Sequence, residues 1–325
     1  MRILFTSTRE TAFVRQDLTL LRKHFDIDHL NGRGLRTALA LWGRMRHASA
    51  SFTWFASVYA FVAVVAARLR RRRAVVAIGG VDVAKIPELG YGIWLSWWKS
   101  ILVGYAIRNA HRVLVVDPSQ EKEARRLAQY DGANIMYVPT GYDPDVWFMT
   151  GEKEDMVLTV AGCHSLRQLR IKGIDMLFAA AAHMPDTRFE VVGVWTELLP
   201  AVRALAPANV ALFPFIPQAE LVAFYRRAKV YCQPSRSEGL PNSLCEAMLC
   251  ECIPVGSRVG GIPTAIGDHG LLVPYGDPDA LAGALRSALA FPAGTGVGAR
   301  RHVATHFTLG RRESALVSIL GSAEG

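Results

Sequence analysis

The sequence predicts a two-domain α/β protein, each domain a parallel sheet covered by helices. Two observations carry the prediction. Apolar runs of strand length alternate with helix-length segments along the chain, the rhythm produced when each parallel strand needs a helical crossover to reach the next. The length of 325 residues suits about two domains of ordinary size. The charge bears on partners instead: residues 1–150 carry 21 Lys and Arg against 12 Asp and Glu, whereas residues 151–325 carry 16 of each, which points to an anionic partner for the first half.

The elements follow in order. MRILFT reads as a strand and residues 15–24 as its helix. The apolar segment 52–67 is shorter than the ~20 residues a membrane span needs, and with the basic run RLRRRR at 68–73 after it, it reads as a core or interfacial helix. AVVAIGG, HRVLVV and NIMYVP read as further strands, with a polar helix at 119–128. The polar stretch FMTGEKED at 148–155 marks a boundary, giving domains 1–150 and 151–305. MVLTVAG, FEVVGV, NVALFP, VYCQPS and CIPVGS are the strands of the second domain, and 174–183, 219–228 and 243–249 its helices. Because the chain opens on a strand-like run, no cleavable signal peptide is expected, and the protein is placed in the cytoplasm. The five cysteines form no CxxC pair and sit among apolar neighbours, so they read as buried thiols in a reducing compartment.

The stretch SRSEGLPNSLCEAML, residues 235–249, carries two carboxylates, Glu238 and Glu246, on either side of Gly239-Leu240-Pro241-Asn242. Asn242 fits the N-cap of a helix over 243–249, which would leave the N–H groups of Ser243, Leu244 and Cys245 pointing at an anion. Carboxylates accept hydrogen bonds from hydroxyls and do not bind phosphate. A ligand with a diphosphate between two sugars satisfies both features, and a nucleotide-sugar is such a ligand.

This block, followed by GSRVGGIP and DHGLLVPYGDPDALAGAL and preceded by IKGIDML and FPFIPQAELVAFYRRAKVYCQPS, resembles the donor-binding half of glycosyltransferase family 4. The likeness extends to VDPSQEKEARRL and VPTGYDP, covering most of residues 110–290, and is loose over the first hundred. It implies the GT-B fold, two Rossmann-like domains with parallel sheets facing across a cleft, and transfer from a nucleoside-diphosphate sugar with retention and without a metal. The tail 306–325 is then expected to form a helix crossing back to the first domain. By resemblance Glu238 contacts the donor sugar, Glu246 the ribose hydroxyls, and the backbone at Ser243 and Leu244 the distal phosphate. Lys172 corresponds to the lysine that neutralises the departing diphosphate, electrostatic stabilisation of the kind that dominates many active sites. The base is expected near Phe215 and Ile216.

The sequence departs from the family in three places. Ten residues separate Gly162 from Lys172, leaving Arg167 and Arg170 as alternative phosphate cations. Ser7, Thr8 and Arg9 stand where many relatives have Gly-Gly after the first strand, which makes Arg9 the donor contact expected there. Thr264 replaces a common acidic residue.

In GGVDVAKIPELGYG, Asp82 is placed to touch the sugar or the acceptor hydroxyl as a third catalytic residue, with an Asx-type turn as its alternative. Asp-x-Asp pairs occur at 26–28, 143–145 and 277–279. The last two are Asp-Pro-Asp, which reads as Asp capping a helix that begins on Pro, so no metal site is assigned and no cofactor is expected. Arg33, Arg36, Arg44 and Arg46 interleave with Leu35, Leu39, Trp42 and Met45 in a basic amphipathic pattern suited to an anionic membrane surface. The charge accompanies no nucleic-acid-reading motif. The expected partners are therefore a nucleotide-sugar donor and a glycan or lipid-linked acceptor, at the inner membrane face or in the cytoplasm. The rivals are a GT-B protein that binds nucleotide-sugar without turnover, including a partner subunit, and a nucleotide-sugar epimerase.

Overall fold

The computed structural model describes residues 1–321, so the last four residues of the expected 306–325 tail lie outside the described residues. Two compact units emerge: Met1–Gly141 together with the segment from Leu309 onward, and Tyr142–Thr308.

The first unit is built on six parallel strands: β1 (Arg2–Ser7), β2 (Asp26–Asn31), β3 (Ala50–Trp54), β4 (Arg73–Ile78), β5 (Arg112–Val115) and β6 (Ile135–Tyr137). Their order is β2-β1-β3-β4-β5-β6, with β1 paired in register to β2 and β3. The segment 52–67 is not one helix. β3 ends at Trp54, Phe55 takes a left-handed φ of 72°, and the helix Val58–Leu69 starts anew. β3 has every residue buried, so its uninterrupted apolar run hid the strand boundary. β2 lies at the sheet edge, and its Asp28 accepts from Arg44 at 2.7 Å, which gives the first Asp-x-Asp pair a surface-charge role.

The helix Leu309–Gly321 belongs to the first unit. Its Arg312 reaches Asp17 on the helix Ala12–Arg22 through two bonds, 3.0 Å from Nε and 2.6 Å from Nη2. Trp54 Nε1 donates to the same carboxylate at 2.9 Å, and Arg312 Nη1 to the Val138 carbonyl at 2.5 Å. Asp17 and Arg312 are fully buried, so the pair is held by geometry and complete hydrogen bonding.

The second unit repeats the plan with β7 (Glu154–Cys163), β8 (Arg188–Val194), β9 (Val210–Pro214), β10 (Ala228–Gln233), β11 (Ile253–Ser257) and β12 (Leu271–Val273), ordered β12-β11-β10-β7-β8-β9 and parallel throughout. This is the doubly wound Rossmann order, and the connections part in opposite directions between β7 and β10. Asp277 caps the helix Pro278–Ala290, accepting from the Ala280 N–H at 2.8 Å. Asp143 caps no helix: it accepts the Asp145 N–H at 2.9 Å in an Asx turn. The units divide at Gly141/Tyr142 and Thr308/Leu309, against 150/151 and 305/306 from the sequence. The earlier first boundary has a packing cause, since Tyr142 donates its N–H to the Phe307 carbonyl and Trp147 stacks edge-on against Tyr225, all within the second unit.

Candidate active site

In open α/β sheets ligands sit beyond the carboxyl ends of the strands where the winding reverses. In the second unit that place lies past the ends of β7 and β10, and a polar cluster gathers there. β10 ends at Gln233, and Ser235 follows two residues on. Glu238 Oε1 accepts from Lys172 Nζ at 2.7 Å, Ser235 Oγ at 2.7 Å and Gln233 Nε2 at 3.1 Å. Tyr231 supports Gln233 from behind, its hydroxyl donating to Oε1 at 3.1 Å. Lys172 ends the short helix Leu166–Ile171, and the Arg236 N–H donates to the Ile171 carbonyl at 2.8 Å, which ties that helix end to the β10 loop.

Two glycines make the approach possible. Gly173 has φ 68°, and a Cβ there would sit 1.9 Å from the Pro234 carbonyl oxygen, so no side chain fits beside Lys172. Gly260, φ 53°, would place a Cβ 2.2 Å from the Glu238 carbonyl oxygen, and the next residue donates its N–H to Gly239 at 3.0 Å. The Gly-Gly of GSRVGGIP thus locks the loop that carries Glu238. Gly239 and Leu240 are buried in that loop and shape it.

The helix spans Asn242–Leu249, one residue longer at its start than the sequence suggests. Its N-cap is Pro241, and the Cys245 N–H already donates to the Pro241 carbonyl. The N–H groups without an intrahelical acceptor are therefore those of Asn242, Ser243 and Leu244. Asn242 does not cap; its Oδ1 accepts from the Tyr142 hydroxyl at 2.7 Å. Tyr142, a hundred residues earlier, and Gln233 with Ser235 are site residues that sequence reasoning missed. The first has no local signal, and the others look like ordinary strand-end polar residues.

Glu246 is buried one turn into this helix. Its Oε1 accepts from Gln218 Nε2 at 2.6 Å and its Oε2 from the Tyr225 hydroxyl at 3.1 Å. Burial pushes its pKa up to about 7, against the opposing pull of those two hydrogen bonds. Gln218 and Tyr225 sit at opposite ends of the helix Gln218–Arg227, and Phe215 and Ile216 lie just before it, with Phe215 exposed. Arg167 and Arg170 stand on the exposed side of the helix Leu166–Ile171. Arg170 lines a groove with Leu166, Asp175 and Phe178, a surface that the Lys172–Glu238 cluster does not share.

Arg9 and Asp82 belong to the first unit. There the winding reverses between β1 and β3, and a cavity of about 450 Å³ opens at their carboxyl ends, with Arg9 and Asp82 in its wall. Asp82 is buried, and its carboxylate is occupied: Oδ1 accepts from the Gly80 N–H at 2.6 Å and Oδ2 from the Ala56 N–H at 2.9 Å, with Gly79 N–H shared at 3.1 Å. Burial raises its pKa and the backbone bonds lower it. The Asp82 carboxylate thus ties together the loops after β3 and β4 from within the cavity wall.

Residues 156–290 match the family model "Glycosyl transferases group 1". The chain is 40% identical over 206 residues to the D-inositol 3-phosphate glycosyltransferase of Thermobifida fusca, covering 53% of this chain and 46% of that protein. It is 34% identical over 192 residues to the enzyme of the same name from Acidothermus cellulolyticus, covering 50% and 43%. The chain thus spans about half the length of these relatives. Among solved structures, the sucrose-phosphate synthase of Thermosynechococcus elongatus superposes with a TM-score of 0.80 at 16% identity over 98% of each chain. Anabaena HepE in complex with UDP-glucose superposes at 0.79 and 15% identity over 99% of each. The chain therefore has the GT-B fold, two six-stranded parallel Rossmann-like sheets, and residues 156–290 of its second unit are similar to the group 1 glycosyl transferases.

Proposed function

We propose that this protein is a retaining, metal-independent glycosyltransferase that takes its sugar from a nucleoside-diphosphate sugar held by the second unit. The observation that carries the reading is the cluster at the β7/β10 switch point: Lys172 bound to Glu238, and Glu246 one turn into the adjoining helix. The second unit's likeness to group 1 glycosyl transferases supports it.

Each group has a role in this reading. The N–H groups at the start of the helix Asn242–Leu249 hold the distal phosphate, the helix dipole favouring negative charge there. Glu246 exchanges Gln218 and Tyr225 for ribose hydroxyls. Glu238 accepts hydrogen bonds from the donor sugar, and Lys172 sits where charge develops as the glycosidic C–O bond to phosphate breaks. The acceptor oxygen forms the new bond on the face the diphosphate leaves, and its proton passes to the departing phosphate oxygen. Retention follows without a covalent sugar–enzyme intermediate. The cavity of the first unit serves the acceptor.

The first unit also carries features suited to an anionic membrane surface, the setting proposed for a lipid-linked acceptor. Leu35, Leu39 and Trp42 are exposed on the helix Leu35–Arg44, with Arg70 stacked over Trp42 at 4.9 Å. Trp97, Trp98 and Ile101 are exposed at the start of the helix Trp97–Asn109. Met45 departs from the expected pattern, being turned fully into the core. No described helix is long and apolar enough to cross a membrane.

The test is donor turnover. With UDP-, GDP-, ADP- and dTDP-sugars presented in turn beside a panel of polyol and lipid acceptors, one donor should release nucleoside diphosphate in an acceptor-dependent way, and NMR of the product should show the donor's anomeric configuration kept. Acceptor-independent conversion of the donor would mark an epimerase, and an inverted product would overturn retention.

A further inference from the structure

Gln233 ends β10 inside the Lys172–Glu238 cluster and is 1% exposed. A buried primary amide has two hydrogens and two lone pairs to place. Here Nε2 lies 2.8 Å from Ser235 Oγ and 3.1 Å from Glu238 Oε1. Oε1 lies 3.1 Å from the Tyr231 hydroxyl and 3.4 Å from that of Ser243. Glu238 decides which way round the amide sits. A carboxylate only accepts, so Nε2 must face it, and the reversed amide would set two oxygens against each other. Both hydroxyls therefore meet the accepting end.

The amide thus touches both parts of the site. Ser243 stands in the first turn of the helix Asn242–Leu249, whose leading N–H groups take the phosphate in the proposed function, and Glu238 takes the sugar. The bonds to Glu238 are one-sided. Lys172, Ser235 and Gln233 all donate to Oε1, and among the described residues no hydrogen bond ends on Oε2. The three donors differ in stiffness. Lys172 reaches Oε1 on a flexible stem, its side chain 28% exposed, and the Ser235 hydroxyl turns about its own C–O bond. The Gln233 amide is planar, buried and bonded at both ends, so the direction of its N–H is fixed.

We infer that Gln233 is the positioning residue for Glu238: its fixed amide holds Oε1, with Lys172 bonded to the same oxygen, and so presents Oε2 to the hydroxyls of the donor sugar. The inference rests on the transferase reading, which gives Glu238 a sugar to meet. Gln233 touches no substrate itself and acts through the carboxylate. When a donor phosphate arrives, Ser243 turns its hydroxyl from the amide oxygen to the phosphate, and Tyr231 keeps the amide in place. Binding of the diphosphate then leaves the direction of Glu238 unchanged.

The experiment compares wild type, Gln233→Leu and Gln233→Glu as full chains. The probes are the UDP-, GDP-, ADP- or dTDP-sugar that binds the wild type most tightly and its own nucleoside diphosphate. Calorimetry gives the Kd of each, and their ratio is the sugar's share of the affinity; kcat at saturating donor is followed from about pH 5 to pH 9. Gln233→Leu fills the space without polar atoms, and Tyr231 keeps the Val160 carbonyl as an acceptor at 3.3 Å. Its diphosphate affinity should stay within about twofold of wild type, while the sugar's share and kcat each fall at least about tenfold, as loss of a hydrogen bond to a charged acceptor requires. Gln233→Glu separates positioning from mere space filling. Protonated, the new carboxyl donates to Glu238 Oε1 as the amide does; ionised, it sets a second negative charge against it. Its kcat relative to wild type at the same pH should approach one in acid and drop at least about tenfold as pH rises. Taking the ratio cancels any titration of Glu246 common to both proteins. A pH-independent ratio, wild-type kcat and sugar share in Gln233→Leu, or a diphosphate affinity that falls as far as the donor's overturns the inference. A wild type that binds donor but releases no diphosphate overturns the transferase reading alone, since the sugar's share still tests Gln233. A wild type that binds no nucleotide overturns both.

Discussion

At the scale of single residues, Glu246 links structure to a pH dependence. Its folded pKa of about 7 stands above the ordinary 4.5, because burial outweighs the bonds from Gln218 and Tyr225. For an acid raised in the folded state, the stabilising contribution is complete below the unfolded pKa and is lost as pH rises through the folded one. Wild-type stability, relative to Glu246→Gln, should therefore fall by up to roughly 3 kcal/mol between pH 4.5 and 8, read by urea denaturation at each pH. A flat difference would place the carboxyl in a more polar setting than the one described. Ligand binding runs the opposite way, since ribose hydroxyls need the carboxylate as acceptor. Nucleotide affinity should drop as pH falls below about 7 in the wild type and lose that dependence in Glu246→Gln. For Lys172→Ala, which leaves Glu238 its bonds from Ser235 and Gln233, kcat should fall by about 10²–10³ while the fold survives, as judged by an unchanged melting temperature. A loss under tenfold would remove Lys172 from the chemistry.

At the scale of elements, the site depends on close backbone approaches that tolerate no substitution. In Gly173→Ala the new methyl meets the Pro234 carbonyl in a left-handed backbone, so the Lys172 turn and the β10 end must part. A destabilisation of about 1–3 kcal/mol with loss of donor binding is expected, and wild-type stability and binding would show the turn to be pliable. The helix Leu309–Gly321 is fixed by the buried Arg312–Asp17 pair. Asp17→Ala strands a buried guanidinium and should cost about 3–5 kcal/mol, whereas Asp17→Leu/Arg312→Met should cost distinctly less. Equal losses in the two, measured by chemical denaturation, would contradict the assignment.

Legibility differs element by element for physical reasons. The strand β10, the turn after it and the helix with Glu246 were readable because a Pro-Asn turn punctuates an apolar run. β3 was not, since SFTW merges with the apolar helix after it and the break is a left-handed Phe55, a residue type that gives no turn signal. Asn242 looked like a cap because its type favours caps; Tyr142 claims its side chain from a hundred residues away, which no local pattern records. For Asp82 the sequence left two roles open and gave no sign of the three backbone N–H groups, one of them from Ala56 on another loop, that hold its carboxylate.

At the scale of the whole molecule, the charge asymmetry and the doubled βα rhythm were visible in the sequence, and both sheets carry their reversal point where a ligand site belongs. In the proposed function, the second unit binds a nucleoside diphosphate through Glu246 and the helix that carries it. Calorimetric titration with UDP, GDP, ADP and dTDP, wild type beside Glu246→Ala, tests it most directly. One nucleotide should bind the wild type in the micromolar range and bind Glu246→Ala roughly 10- to 100-fold more weakly, the worth of hydrogen bonds to a charged acceptor. A folded protein that binds none of the four, or binds one equally well without the Glu246 carboxylate, would contradict the claim.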